Sequence, residues 1–132
     1  MANYSQVQTN DLYKEIKKTI DTSNKVVEYL KKLKEDTIPY RQIMTPEKSF
    51  WKEEHVVSSV KNLFGVLKND SAPALFLVAY KEWYNKGKKD DFFKLPHICE
   101  NIHFRAKTIG DATASKMVDT FVGCSSKVRD SK

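Results

Sequence analysis

Glycine and proline are scarce in this chain, with four of each in 132 residues. A fold of many short strands and tight turns uses far more of both, so the shortage argues against a β sandwich or barrel and favours helix. Cysteine is scarcer still. Cys99 and Cys124 stand far apart in sequence, which reads as two structural free thiols and not as a disulfide framework. The longest apolar run, Ala74 to Tyr80, falls well short of the roughly 18–20 residues that a membrane-spanning helix needs. Met1 to Thr9 is polar and lacks the basic start, apolar stretch and small-residue cleavage site of a secretory signal. These absences predict a cytoplasmic protein without a membrane span.

Catalytic signatures are missing as well. The sequence holds no GxxxxGK(S/T) loop, no GxGxxG turn, no HExxH and no CxxC. The adjacent carboxylates Glu53-Glu54 and Asp90-Asp91 read as helix-surface and capping charges. The nearest approach to a metal set is His97, Cys99, His103 and Cys124. Cys99 and His103, four apart, share a helix face, but His97 is two residues from Cys99 and points elsewhere. A buried Cys99 with partly exposed histidines is the expectation. No metal, no cofactor and no enzyme built from this chain alone are expected.

What is present is an ordinary globular composition, 40% hydrophobic and 30% charged, at a length suited to one hydrophobic core. The formal charge of +6 and isoelectric point near 9.2 favour a polyanionic or acidic partner. Acidic residues are nevertheless mixed among the basic ones. The expected architecture is all-α, a single domain over residues 1–132 with about five helices and with 1–9 and 125–132 flexible.

Helical spacing carries this expectation. Leu12, Ile16, Ile20, Val26, Val27, Leu30 and Leu33 form one stripe of a long helix from about Asn10 to Lys34, fading at Ile38-Pro39. Lys14, Lys18, Lys25 and Lys32 lie opposite, with Asp21 and Glu28 near them, as on a solvated face. Thr45-Pro46 signals a second helix, with Trp51 (or Phe50), Val56, Val57, Val60, Phe64 and Leu67 inward and Gly65 suited to a close helix contact. Ser71-Ala72-Pro73 opens a third, apolar nearly all round and so central. Lys86-Gly87-Lys88-Lys89 is an exposed loop. A fourth helix is capped at Asp90 or Asp91, with Pro96 either starting the helix proper or kinking it, and stops at Gly110; a fifth is capped at Asp111 or Thr113 and buries Ala114, Met117, Val118, Phe121 and Val122. Arg105, after Ile102-His103-Phe104, is placed to bond helix-end carbonyls or a carboxylate.

The segments Pro73 to Tyr80, Phe92-Phe93-Lys94-Leu95, Ile98 to Arg105 with Gly110 after it, and Met117 to Phe121 resemble the helical region of GmrSD-type bacterial restriction proteins. The pair Phe104-Arg105 closing an apolar helix is the most characteristic element. In that family a ParB/sulfiredoxin-like nucleotide-hydrolysing domain precedes such a region, and an HNH nuclease domain often follows. The resemblance implies a non-catalytic part in bacterial defence against modified or foreign DNA, linking or regulating catalytic domains or subunits. The family's glutamine-arginine signature and HNH motif are absent here, so no catalytic residue carries over, and an excised domain, a split subunit and a truncated gene stay open. Two further readings stand beside it. One is a free-standing helical interaction module that buries an apolar groove against a partner or itself. The other is a basic module touching DNA phosphates through Lys14, Lys18, Lys25, Lys32, Lys86, Lys88 and Lys89.

Overall fold

Asp21-Thr22-Ser23-Asn24 is a run of side chains that bond readily to nearby backbone, and it interrupts the first apolar stripe. In the computed structural model, which describes residues 9–130, α1 (Thr9–Thr19) ends before this run and α2 (Ser23–Met44) starts within it. The Thr22 hydroxyl accepts from the Lys25 amide at 3.4 Å and caps α2. One expected helix is therefore two. Pro39 does not end α2 either: it is buried inside the helix, which packs on α5. Tertiary burial there outweighs the roughly 3 kcal/mol that proline costs a helix interior.

Thr45 serves the end of α2, not the start of the next helix. Its amide and hydroxyl both donate to the Arg41 carbonyl, at 3.0 and 2.7 Å. After Glu47 comes the short α3 (Lys48–Trp51), then α4 (Glu54–Lys61). Between them Lys52 takes φ 63° and ψ −52°, and the Glu53 amide donates to the Trp51 carbonyl at 2.7 Å. That is a γ-turn, a strained shape for a residue with a side chain. It splits the second expected helix and lets Trp51 and the α4 stripe enter the core from different directions.

Three helices run on into a π-helical turn: α4 through Asn62–Val66, α5 (Ala72–Ala79) through Tyr80–Tyr84, and α6 (Lys89–Phe104) through Arg105–Ile109. Each turn closes with a bond back across five residues, Leu67 to Asn62, Asn85 to Tyr80 and Gly110 to Arg105, at 2.8–3.0 Å. Gly110 ends its helix as expected, through space and not through a left-handed φ: a Cβ there would lie 3.0 Å from the Ala106 carbonyl oxygen, and Asp111 takes the left-handed turn at φ 46°. Gly65 makes no close contact, for nothing lies within 4 Å of where its Cβ would be. α7 (Ala114–Asp130) is capped by the Thr113 hydroxyl, which accepts from the Lys116 amide. The expected frayed tail from Ser125 is helical to Asp130, with Ser125 buried and Val128 packed on the core. Residues 1–8 and 131–132 lie outside the described residues.

The described residues thus form an all-α single domain with seven α-helices where about five were expected, and no strand among them. Every helix from α2 to α7 feeds one core: Ile43 from α2, Trp51 from α3, Val56, Val57 and Val60 from α4, Leu75 and Phe76 from α5, Phe92, Leu95 and Cys99 from α6, Met117 and Phe121 from α7. Phe92 is its hub, stacked on Trp51 with centroids 5.5 Å apart and planes 8° apart, and edge-on to Phe50, Phe76, Tyr80 and Tyr84. As expected, α5 is central, packed against α2, α6 and α7.

Phe92→Ala should cost about 3–5 kcal/mol in urea unfolding, whereas Phe104→Ala, at a side chain 51% exposed, should stay within about 0.5 kcal/mol. Lys52→Gly relieves the γ-turn at the loss of a cation–π contact between its Nζ and the Phe93 ring, 5.5 Å away; the net expectation is a gain of about 1 kcal/mol in the same measurement.

Candidate docking groove

The apolar stripe of α2 does not enter the core in its first half. Val26, Val27, Leu30 and Leu33 are 41–58% exposed. Buried side chains of α2 lie in its second half, at Pro39 and Ile43, and Asp36 pairs there with Lys81. That second half forms one wall of a groove of about 580 Å³. Leu33, Thr37 and Tyr40 line it from α2, Val122, Ser126 and Arg129 from α7, and Pro73, Ala74, Leu77 and Val78 from α5 make its floor.

The floor exists because α5 is apolar on nearly every side while neighbours cover only part of its circumference. Ala74 is exposed in it, and Leu77 and Val78 are half-buried. Charged groups at the edge are matched: Lys81 Nζ lies 2.7 Å from the Asp36 carboxylate, tying α2 to α5, and Lys86 pairs with Glu82. Such a surface offers apolar contact with little net charge. Its size is that of a ligand pocket or of a slot for a few large side chains.

The residues singled out from sequence lie elsewhere. Lys14, Lys18 and Lys25 pair with Asp11, Glu15 and Asp21 on their own helical turns, at 3.4, 3.0 and 2.6 Å; the Lys25 contact holds the Asp21 carboxyl below its ordinary pKa. Lys86 pairs with Glu82, and the Lys89 ammonium sits 4.8 Å from the Tyr84 ring centre. Lys32 and Lys88 are exposed. These lysines come from α1, the start and middle of α2, and the segment leading into α6. Phe104 and Arg105 are both exposed at the end of α6. Arg105 accepts the Gly110 amide with its carbonyl, but its guanidinium makes neither the helix-end bond nor the carboxylate pair expected of it among the described residues.

His97 is exposed and bonded to Asn101 at 3.1 Å, while Cys99 is buried, its thiol pushed up to about 12 by desolvation and secondarily by Cys124. Both cysteines are free, and no group of three metal-ligating side chains forms among the described residues. His103 is buried, against the expectation of partial exposure, and Asn69 explains it. Asn69 Oδ1 accepts from the Ser71 amide and hydroxyl and the Ala72 amide at 2.9–3.1 Å, capping α5 in place of Ser71. Its Nδ2 must then donate to His103 Nδ1, 2.8 Å away. The ring proton is left on Nε2, which is buried and has no partner among the described residues.

No protein family, curated protein or solved structure matches this chain.

Burial, and then Lys107, lowers the His103 pKa. A neutral ring in the folded state and a protonatable one in the unfolded chain place this contribution to stability above the ordinary value of 6.5, with loss as pH falls through it. Protonation would also turn Nδ1 into a second donor facing Asn69. Urea midpoints should therefore drop between about pH 7.5 and about pH 5.5 by more in the wild type than in His103→Gln, which keeps an acceptor for Asn69 and does not titrate.

Proposed function

We propose that this chain is a non-catalytic docking module whose groove between α2, α5 and α7 takes the apolar face of an amphipathic helix. The observation that carries this reading is the three-sided shape of the groove: a floor of Pro73, Ala74 and Leu77 with helical walls on both sides, and an empty place where a further helix would complete a bundle. Apolar side chains entering at i, i+3 and i+4 spacing would meet Leu33, Leu77 and Val122. The paired charges at the rim leave recognition to shape and burial, not to a strong field.

A second reading makes the chain the helical middle of a GmrSD-type restriction machine, with its catalytic domains or subunits as partners. What favours it is the C-terminal part of α6 and the turn after it, where Ile98, Ile102, Phe104 and Ile109 are 37–77% exposed. That apolar surface suits a neighbouring domain. Phosphate contact has weaker support, since four of the seven candidate lysines are already paired with carboxylates.

The groove is tested with a synthetic amphipathic peptide of leucine and lysine at helical spacing. Leu30→Glu removes the exposed stripe beside the groove, so the peptide meets the groove alone. In that background, amide signals of Leu77, Val78 and Val122 should shift on titration, and adding Ala74→Arg, a bulky charge on an exposed floor position, should weaken binding at least about tenfold. Shifts spread evenly over the surface, or unaffected by Ala74→Arg, would refute the assignment.

A further inference from the structure

We propose that the occupant of this groove is α2 of a second copy of this chain, packed antiparallel and reciprocally. The proposal rests on the helix-in-groove reading and names its partner. Val26, Leu30, Leu33, Thr37 and Tyr40 follow one another along α2 at alternating steps of four and three residues, the repeat of a helix seam that faces another helix. Leu33, Thr37 and Tyr40 are the groove wall. Val26 and Leu30 therefore lie on the same face and carry the seam past the groove's end.

The two halves of this seam match in length. From Val26 to Leu33, and again from Leu33 to Tyr40, the helix advances two turns, about 10 Å. One half faces a floor and an opposite wall; the other faces neither, with Val26, Val27 and Leu30 at 41%, 50% and 58% exposure. A two-fold axis makes such a surface complementary to itself. An antiparallel α2 pair centred between Leu30 and Leu33 sets Leu30 of each copy against Leu33 of the other, and Val26 against Thr37. Each unpartnered half then lies in the other copy's groove. At the flanking positions Tyr29 comes beside Asp36 and Val27 beside Lys34, so no like charges meet next to the seam.

Size points the same way. A stable interface takes about 20–30 residues from each partner. The groove supplies fourteen, too few alone. Reciprocal packing adds Val26, Val27, Tyr29 and Leu30 from the arm of the same chain and the polar residues beside them, and brings each copy's share close to that range. An arm held by its own groove in cis would need α2 to bend back at Leu33, in the middle of a continuous helix.

Sedimentation equilibrium of the full chain at about 100 µM should give twice the 15.3 kDa monomer mass. Leu30→Glu and Ala74→Arg, both at exposed positions, should each give the monomer with unchanged helical circular dichroism. Mixed in equal amounts they should regain dimer, because the intact arm of one meets the intact groove of the other. A monomeric wild type, a dimer that both substitutions leave intact, or a mixture that stays monomeric would overturn the proposal. The leucine–lysine peptide separates the two levels: if the wild type is monomeric while Leu30→Glu still takes the peptide in its groove, self-pairing falls and the docking reading stands. If the peptide does not bind either, both fall.

Discussion

The stacking of Phe92 on Trp51 is the contact on which the rest of the arrangement depends. Trp51 comes from a helix of a single turn, too short to hold itself together in water. Phe92 comes from the first turns of α6, and the two rings lie nearly parallel inside a shell of Phe50, Phe76, Tyr80 and Tyr84. Burial of each large ring is worth about 1.5–3 kcal/mol, and well-placed ring pairs add about 0.5–1.5 kcal/mol. Those sums exceed the strain at Lys52, which explains how a lysine is held in a γ-turn. Once α3 is fixed, the direction of α2 before it and of α4 after it follows from chain connectivity.

Much of this was legible in the sequence. The all-α class, the central position of the Ala74 to Tyr80 run and the inward Val56, Val57 and Val60 of α4 and Met117 and Phe121 of α7 followed from spacing, whereas Val118, expected inward, is 46% exposed. Boundaries were less legible, for physical reasons specific to each. Pro39 and Pro96 are tolerated inside helices because both are buried among neighbours that sequence alone does not reveal. Lys52 carries no turn signal, since its conformation is imposed by packing on either side. Asn69 had the chemistry of a cap, but Ser71 stood closer to the apolar run and masked it. The stripe of α2 was legible as a stripe but not its exposure, because period alone does not say whether a chain supplies its own partner.

The groove was the least legible feature. None of its residues is unusual, and it arises from three helices that surround α5 incompletely. Residues marked by charge or by nucleophilic character, such as the lysines, His97 and Cys99, went instead to local ion pairs, a side-chain amide and the core. The candidate site is thus a property of topology, carried by leucine, valine, alanine and tyrosine. Chemistry-bearing residues are the natural place to look in a sequence, and here they contribute little to the surface best shaped for recognition.

The separation between the two halves of α2 has a consequence for how this protein can change. Pro39 and Ile43 are committed to the interior, so substitutions there are judged by whether the domain still folds. Val26, Val27 and Leu30 are 41–58% exposed, so substitutions there weigh less on folding, and in the proposed pairing they alter what the helix fits. Leu33 and Tyr40, 41% and 44% exposed, line the groove without joining the core. If the proposed pairing holds, variation in its preference can accumulate along one stretch of a single helix with little passage through the filter of stability.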